Sequence, residues 1–359
     1  IHGVGLNGLK EPDDVIDAKN SGTTTRLLMG LLSGQPFYSV ITGDDSLRRR
    51  PMKRVAEPLR TMGAHIDARA GGEYLPVSIK GGNLKGITYK TPVASAQLKS
   101  ALLLAGLYAE GETIVEEPEK SRDHTERMLK HFGADIETKG NTVRIKKTKA
   151  LKGSYIKVPG DISSAAFFMV ASAITQGSEL TIRGVGINPT RCGIINILEK
   201  MGASIEVVNN DGKEEPSADI IVKTAKLKGV NIGAKELLPA IDEFPIICVA
   251  AAFADGITEI SGAAELRVKE SDRIKVMAES LGAIGIKTEE KKDGLIIHGV
   301  GRDKTIKGGA IDSRGDHRIA MALAVAALKT DDGVTIQGSE CVDVSFPGFF
   351  ELLTGVAVR

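Results

Sequence analysis

The stretch LRTMGAHID, residues 59–67, decides the fold because it returns three times along the chain. The other copies are LKHFGADIE (129–137), LEKMGASIE (198–206) and AESLGAIGI (278–286). In each copy a helical periodicity runs into Gly-Ala and then into alternating β-branched residues, which predicts an amphipathic helix closed by a C-cap glycine ahead of a strand. These glycines are Gly63, Gly133, Gly202 and Gly282. The sequence therefore predicts repeated units of about 70 residues.

A second kind of helix is predicted between these phrases, and it is apolar on nearly every face, which is typical of a helix buried on all sides. Each of the five copies begins with small or polar residues suited to a helix N-cap. These starts are NSGTTTR (20–26), SAQLKS (95–100), GDISSAA (160–166), IDEFP (241–245) and GDHR (315–318). A glycine and a short strand follow each helix, so each unit is predicted to run helix, strand, helix, strand.

Five units fit poorly with a chain that otherwise divides into halves near KVPGD (157–161). The opening IHGVGL (1–6) looks like the closing strand of an earlier unit, so we expect one unit of about 70 residues to be absent ahead of it. Two domains, residues 1–158 and 159–359, are then predicted to hold three units each. The N-termini of the buried helices are expected to point into the cleft between the domains, where backbone N–H groups and helix dipoles favour anions.

Composition and missing motifs argue against several classes of function. The net charge is +1 and tryptophan is absent, so neither a basic surface nor stacking platforms indicate nucleic-acid binding. The longest apolar runs are too short to span a bilayer. Three scattered cysteines, Cys192, Cys248 and Cys341, favour a reducing compartment without a metal cluster. No Walker A motif, no HExxH and no GxGxxG that opens a helix after a strand is present, which disfavours nucleotide hydrolases, zinc peptidases and dinucleotide dehydrogenases.

Arginines recur at one place in the repeat, at or just before the amphipathic helices. They are Arg50, Arg122, Arg191 and Arg273. A single charge at a helix start is usually only solvated, but repetition at one structural position indicates a shared role. Because Arg offers a planar fork to phosphate or carboxylate, converging arginines favour a substrate with more than one anionic group.

Carboxylates stand beside two of these cationic helix starts. If RVKESDR (267–273) is helical, Lys269, Glu270 and Arg273 share one side of the helix. This set is either a surface salt-bridge ladder or a carboxylate held ionised among cations that bind an anion. Asp242, at the head of a buried helix, is either an N-cap or a second carboxylate that faces the ligand. Two such carboxylates would form an acid/base pair.

Small polar groups at other helix starts are candidate ligand contacts. Asn20, Thr23 and Arg26 lie at one start, and Ser95 and Gln97 lie at another, where N-cap roles are also common. His317 stands between an acid and an arginine, which favours a functional role over a purely structural one.

In order and spacing, these motifs closely resemble the 5-enolpyruvylshikimate-3-phosphate synthase family over the whole chain. The resemblance is carried by NSGTTTR, RPMKR, SAQLKS, SRDHTER, GDISSAA, NPTR, IDEFP, RVKESDR and GDHR. It implies an α/β (α+β) fold, namely the two-domain enolpyruvyl transferase fold, an inverse α/β barrel of βαβαββ units whose first unit is missing here. The implied reaction moves the enolpyruvyl group of phosphoenolpyruvate to the 5-hydroxyl of shikimate 3-phosphate and releases phosphate. A cytoplasmic monomer without metal or cofactor is also implied.

The resemblance assigns roles to the candidate residues. It implies that the upper domain, residues 1–158, mainly binds shikimate 3-phosphate, with contacts from Ser95, Gln97, Arg122, Asp242 and Lys269. It implies that phosphoenolpyruvate contacts Gly22, Arg50, Gln97, Arg273 and Arg318. The lower domain, residues 159–359, supplies the proposed catalytic carboxylates, Asp242 and Glu270. Supporting roles fall to Asn20, Thr23 and His317.

Two departures from the family pattern leave alternatives open. The family's N-terminal Lys-Ser…Arg segment has no counterpart, so an inactive anion-binding module is one alternative. Some members carry a Lys where this chain has Val344. The other alternative is a UDP-N-acetylglucosamine enolpyruvyl transferase, but the loop GDDSLRRRP (43–51) lacks that enzyme's reactive Cys. Gly22 keeps the small residue of glyphosate-sensitive members, while other motifs resemble tolerant ones, so the inhibitor response is not predicted.

Overall fold

A computed structural model describes residues 1–211 and 215–357 of the chain. Its contacts divide the chain into two compact parts, here called the N-lobe, Ile1–Lys157, and the C-lobe, Val158–Arg359. Each lobe encloses a hydrophobic core of its own. Within the described residues, no helix combines the length and the apolar character that crossing a membrane requires.

The N-lobe alternates helices and strands as the repeat predicts. Its helices are α1 (Gly22–Ser33), α2 (Lys53–Met62), the short turn α3 (Arg69–Gly72), α4 (Ala96–Gly106) and α5 (His124–His131). Its strands are β1 (Ile16–Asp17), β2 (Tyr38–Thr42), β3 (His65–Ala68), β4 (Tyr74–Lys80), β5 (Thr88–Lys90), β6 (Glu112–Glu116), β7 (Ile136–Lys139) and β8 (Thr142–Lys146).

The C-lobe continues the same alternation. Its helices are α6 (Ile162–Ile174), α7 (Gly193–Lys200), α8 (Ala234–Leu237), α9 (Phe244–Ala252), α10 (Arg273–Ala283), α11 (His317–Ala327) and α12 (Phe349–Val356). Its strands are β9 (Glu179–Gly186), β10 (Ser204–Val208), β11 (Ser217–Lys223), β12 (Asn231–Ile232), β13 (Asp255–Ile260), β14 (Thr288–Lys291), β15 (Gly294–Val300), β16 (Gly309–Asp312) and β17 (Val334–Gln337).

The sheets confirm the βαβαββ unit. Three sheets have the same strand order, β1-β2-β4-β3, β5-β6-β8-β7 and β12-β13-β15-β14. In each of them the first pair is parallel and the other two pairs are antiparallel. A fourth sheet, β10-β11-β9, has a parallel bridge between Gly160 and Val185 in place of a full first strand. The parallel pair β16-β17 supplies the first two strands of a fifth copy.

The buried helices lie where their sequences predict. Every residue of α9 is buried, and α4, α6 and α11 are buried along most of their length. The amphipathic helices, by contrast, bury one face each, as α2 does with Val55, Leu59 and Met62. Both kinds of helix therefore contribute to the core, but only the first kind is enclosed by it.

Helices α1 and α4 approach each other with backbone against backbone. A Cβ added at Gly30 would lie only 2.1 Å from the carbonyl oxygen of Ala101. Such a distance leaves no room for a side chain, so glycine is required at this crossing. The close approach sets the spacing of the two helices.

Two local predictions are wrong. The opening residues 1–6, expected to form a strand, are irregular, because Gly5 turns the chain with φ of 73° and Gly8 N–H donates back to the Gly5 carbonyl. In the fourth copy of the repeat, α10 continues through Gly282, and the glycine with positive φ after the helix is Gly285. The later end of α10 is possible because a second glycine, Gly285, lies three residues after Gly282. The C-cap prediction holds for α2, where Gly63 has φ of 111°.

Candidate active site

Helix N-termini in the N-lobe present the polar residues that the motifs single out. The Oγ of Ser21 accepts a hydrogen bond from Thr24 N at 3.1 Å and caps α1. The Oγ of Ser95 accepts one from Leu98 N at 3.5 Å and caps α4. Ser95 is therefore an N-cap, and its hydroxyl can still donate a hydrogen bond to a ligand.

Gln97 joins the first turns of these two helices. Its Oε1 accepts a hydrogen bond from Arg26 NH1 at 2.5 Å, and its Nε2 donates to Thr23 Oγ1 at 2.7 Å. The guanidinium of Arg26 also donates to the Pro51 carbonyl at 3.2 Å, and only 7% of this residue is exposed. Arg26, one of the candidate contacts at this helix start, is thus held by groups of the protein itself.

Arg50 lies on the other side of Gly22. Its NH2 donates to Asn20 Oδ1 at 3.1 Å, and Asn20 Nδ2 in turn donates to Asp44 Oδ2 at 2.7 Å. A Cβ placed on Gly22 would lie 3.1 Å from Arg26 NH1 and 3.5 Å from Arg50 NH1. Glycine at the start of α1 thus leaves the space beside two guanidinium groups free of a side chain, and such groups attract anions.

Arg122 lies in the segment between β6 and α5 and is half-buried. The residue before it, Ser121, donates its N–H to Glu117 Oε2 at 3.4 Å. Glu117 Oε1 accepts from the N–H of Ser95 at 3.2 Å. One carboxylate therefore contacts the backbone at both predicted shikimate 3-phosphate elements of the N-lobe.

Arg273 is the centre of the C-lobe cluster. It is 1% exposed, and its Nε donates to Asp316 Oδ2 at 2.8 Å while its NH2 donates to Glu270 Oε2 at 2.7 Å. Burial acts to lower the pKa of this guanidinium, but the two carboxylates overcome that effect and raise the pKa above its usual value. The charge of Arg273 is therefore permanent.

Asp242 and Lys269 lie beside the same guanidinium. Asp242 Oδ1 is 3.7 Å from Arg273 NH1 and 3.8 Å from Lys269 Nζ. Within the described residues, Arg273 NH1 is buried without a hydrogen-bond partner. Because buried N–H groups are nearly always hydrogen-bonded, this amino group is able to donate to an additional acceptor.

Asp316 caps α11 and is fully buried. Its carboxylate accepts from Arg318 N at 3.0 Å and from Ser271 Oγ at 3.1 Å, besides Arg273. Burial acts to raise the pKa of Asp316, but the adjoining Arg273 lowers it below its usual value. Burial and Arg318 together lower the pKa of His317, so the imidazole is mainly neutral near pH 7.

Glu243 is a buried carboxylate that the sequence analysis did not single out. It is 1% exposed, and its Oε1 lies 3.9 Å from Arg318 NH1. The same NH1 group donates a hydrogen bond to the Asp242 carbonyl at 3.4 Å. Ser163 Oγ donates to Glu243 and accepts from Arg191 NH2 at 2.7 Å. Burial and the neighbouring Asp242 raise the pKa of Glu243. Its position beside Asp242 in IDEFP was the available signal.

Two local expectations for the C-lobe are corrected. Lys269 and Glu270 do not lie on a helix with Arg273, because the Asp272 carboxylate accepts from Lys275 N and starts α10 at Arg273. The ion pair between Glu270 and Arg273 forms all the same. Asp242 is not an N-cap, since it belongs to the 3₁₀ turn Leu238–Glu243 that precedes α9.

The C-lobe cluster has the components of acid/base chemistry on an anionic substrate. The Asp242 and Glu270 side chains are 16% and 18% exposed, so each is mostly enclosed yet reachable. Both contact the cation that is expected to bind the anion. Val344 is 73% exposed at the end of the 3₁₀ turn Ser339–Val344.

Comparisons with known proteins identify the family. Residues 2–353 match the family model described as EPSP synthase (3-phosphoshikimate 1-carboxyvinyltransferase). The 3-phosphoshikimate 1-carboxyvinyltransferase of Syntrophotalea carbinolica is 57% identical over 99% of this chain and 82% of its own length. That of Geotalea daltonii is 55% identical over 100% of this chain and 83% of its own length. The expectation of an absent repeat unit stays a prediction.

Solved structures agree. EPSP synthase from Acinetobacter baumannii is 52% identical and superposes with a TM-score of 0.89 over 100% of this chain and 82% of that chain. The enolpyruvyl transferase NikO from Streptomyces tendae, at 15% identity and a TM-score of 0.71, covers 96% of this chain and 94% of its own, and shares the fold. The predicted enolpyruvyl transferase fold is confirmed. The chain belongs to the EPSP synthase (3-phosphoshikimate 1-carboxyvinyltransferase) family.

Proposed function

We propose that the chain transfers the enolpyruvyl group of phosphoenolpyruvate to the 5-hydroxyl of shikimate 3-phosphate, with the residue roles given below. Family membership carries the reaction. The single observation that supports the placement of the chemistry is Arg273, a buried cation held by two carboxylates with one N–H left for a ligand acceptor. An arginine in this state binds an anion without further reorganisation.

Phosphoenolpyruvate carries a phosphate and a carboxylate, and the proposed contacts are cationic. Arg273 and Arg318 bind it from the C-lobe, and Arg50 binds it beside Gly22 in the N-lobe. Gln97 is held by Arg26 and contacts the substrate through its amide. Each of these side chains is restrained by hydrogen bonds, so little conformational entropy is lost when the anion binds.

Shikimate 3-phosphate is bound by hydroxyl, amide and cationic groups. Ser95 and Arg122 contact its phosphate region, and Gln97 contacts the molecule from the first turn of α4. Asp242 accepts hydrogen bonds from the ring hydroxyls, and Lys269, whose Nζ is 3.8 Å from Asp242 Oδ1, contacts the same substrate.

The reaction has two steps, an addition and an elimination, and each step needs two proton transfers. The 5-hydroxyl oxygen bonds to C2 of phosphoenolpyruvate and loses its proton, while C3 gains a proton, which gives a tetrahedral intermediate. Loss of the C3 proton and of phosphate then forms the enolpyruvyl ether. Asp242 accepts the hydroxyl proton and passes it to the oxygen of the departing phosphate, and Glu270 donates the proton to C3 and takes it back in the second step. General acid–base groups of this kind contribute roughly 10²–10⁴-fold in rate.

Release of inorganic phosphate from phosphoenolpyruvate by the purified chain tests the function. The release is expected to require shikimate 3-phosphate, and mass spectrometry is expected to find the enolpyruvyl ether as the second product. Release that is unaffected by leaving out shikimate 3-phosphate contradicts the proposal. Activity with UDP-N-acetylglucosamine in its place would favour the rival transferase, and binding of either substrate without turnover would favour an anion-binding module.

A further inference from the structure

Three ionisable side chains of the N-lobe lie together in the protein interior. Lys99, Glu117 and Glu126, here called the buried ion cluster, are 1%, 6% and 5% exposed. Lys99 Nζ is 2.8 Å from Glu117 Oε2 and 2.7 Å from Glu126 Oε1. Removing three charges from water is costly, and charge pairing alone often does no more than offset that cost. The cluster therefore requires an explanation beyond its ion pairs.

The two carboxylates differ in what else they contact. Glu117 accepts backbone N–H groups at both oxygens, from Ser95 at 3.2 Å and from Ser121 at 3.4 Å. Within the described residues, Glu126 Oε2 is buried without a hydrogen-bond partner. Burial raises the pKa of Glu126, and the neighbouring Lys99 opposes that effect. Glu117 thus connects the cluster to the backbone of Ser95 and of Ser121.

The two backbone groups that Glu117 accepts belong to the two predicted binding elements for shikimate 3-phosphate. Ser95 caps α4 and precedes Gln97 by two residues. Ser121 directly precedes Arg122 in the segment that leads into α5. A carboxylate that accepts both N–H groups fixes the distance between these elements, and charge-assisted bonds are the stronger kind of hydrogen bond.

We propose that Glu117, held in place by Lys99, is a positioning residue that fixes Ser95 and Arg122 at the separation that shikimate 3-phosphate requires. The role rests on the proposed function and extends it to a residue that does not itself touch the substrate. Glu117 acts on the binding of shikimate 3-phosphate and not on the chemical step, because neither Asp242 nor Glu270 belongs to the N-lobe.

The pair Glu117→Gln and Glu126→Gln makes a matched test. Both variants remove one carboxylate charge from Lys99 with almost no change of shape, but only the first changes the contacts to Ser95 and Ser121. Glu117→Gln is expected to raise the Kd and KM for shikimate 3-phosphate about tenfold, the loss of one charge-assisted hydrogen bond. At saturating shikimate 3-phosphate, kcat and the KM for phosphoenolpyruvate are expected to stay within about twofold of the wild type.

Calorimetric titration with shikimate 3-phosphate and steady-state kinetics with both substrates supply the readouts. Glu126→Gln is expected to keep the wild-type Kd and KM within about twofold. Equal losses in the two variants would overturn the role, since they would show that general destabilisation is responsible. An unchanged Kd in Glu117→Gln would also overturn it.

The triple variant Lys99→Met/Glu117→Gln/Glu126→Gln keeps the test usable if the single variant does not fold. It removes the lysine charge together with both of its carboxylate partners, a change that buried ionic groups often tolerate. It is expected to fold and to show the same weakened binding, and wild-type affinity in it would overturn the role. A wild-type chain that neither binds shikimate 3-phosphate nor releases phosphate would refute the proposed function itself, a result distinct from an active wild type with an unaffected Glu117→Gln.

Discussion

Replacement of Asp316 by asparagine perturbs the most enclosed part of the C-lobe cluster. The carboxylate is fully buried and accepts hydrogen bonds from Arg273 Nε at 2.8 Å, Ser271 Oγ at 3.1 Å and Arg318 N at 3.0 Å. Asparagine keeps the shape and one acceptor oxygen but removes the charge and turns an amide donor toward a guanidinium. We therefore expect Asp316→Asn to reduce both the stability of the protein and the affinity for phosphoenolpyruvate.

The expected loss in the free energy of unfolding depends on the carboxylates that remain around Arg273. Removing one partner of a buried ion pair costs about 3–5 kcal/mol, because an uncompensated charge stays in the interior. Here Glu270 still pairs with Arg273 at 2.7 Å, and Asp242 lies at 3.7 Å. The loss in the free energy of unfolding is thus expected at the lower end, about 3 kcal/mol.

Urea unfolding followed by circular dichroism measures this loss, and Asp312→Asn is the matched control. Asp312 forms an ion pair with Arg314 at 3.3 Å, but both side chains are largely exposed, at 43% and 60%. Exposed pairs contribute at most about 1 kcal/mol, so the control should unfold nearly as the wild type does. If Asp316→Asn were no more destabilising than Asp312→Asn, the reasoning about burial would be refuted.

The pH dependence of stability gives a second readout of the same substitution. The folded-state pKa of Asp316 is lowered from its ordinary 3.8, since Arg273 outweighs burial. The stabilisation is therefore fully present above the unfolded-state pKa and is lost as pH falls through the lower folded-state pKa. Asp316→Asn is expected to remove part of the acid-side loss of stability.

Three further substitutions test the site. Glu270→Gln is expected to lower kcat by roughly 10²–10⁴-fold, whereas Glu279→Gln, at an exposed position, should leave kcat unchanged. Equal kcat values for the two variants in steady-state assays would exclude Glu270 from proton transfer. Gly22→Ala places a Cβ 3.1 Å from Arg26 NH1. It is expected to raise the KM for phosphoenolpyruvate more than the KM for shikimate 3-phosphate. KM values that are unchanged, or that rise equally for both substrates, would contradict this expectation. His317→Ala should lower kcat less than about tenfold, and a loss as large as that in Glu270→Gln would make the imidazole the principal base.

Periodicity predicted the helices and the repeat well, because burial on one face or on all faces leaves a pattern in the chain itself. The N-terminus of α11 at GDHR and that of α4 at SAQLKS follow directly from polar caps ahead of apolar runs. The segment around Lys269 could not be predicted in this way. There the Asp272 carboxylate accepts a hydrogen bond from the backbone N–H of Lys275 and caps α10. The helix therefore starts at Arg273, after the charged residues that the sequence also allowed to be helical.

Buried charges were the part of the site that sequence patterns could not predict. Lys99 stands as a single cation in an otherwise apolar helix, and its partners, Glu117 and Glu126, come from later segments. Glu243 likewise depends on Ser163, which lies 80 residues earlier in the chain. Such pairs arise only when segments distant along the chain pack together, so a motif within one segment carries no sign of them.

The crossing of α1 and α4 at Gly30 links the shape of the binding region to a position that no ligand touches. Gly30 lies eight residues, about 12 Å, along α1 from Gly22, and Ala101 lies four residues, about 6 Å, along α4 from Gln97. A methyl group at residue 30 would separate the two helix axes and lengthen the contact between Gln97 and Thr23 while every polar side chain remained. We therefore expect a change in helix packing at this crossing to alter substrate binding, although it replaces no polar residue of the proposed site.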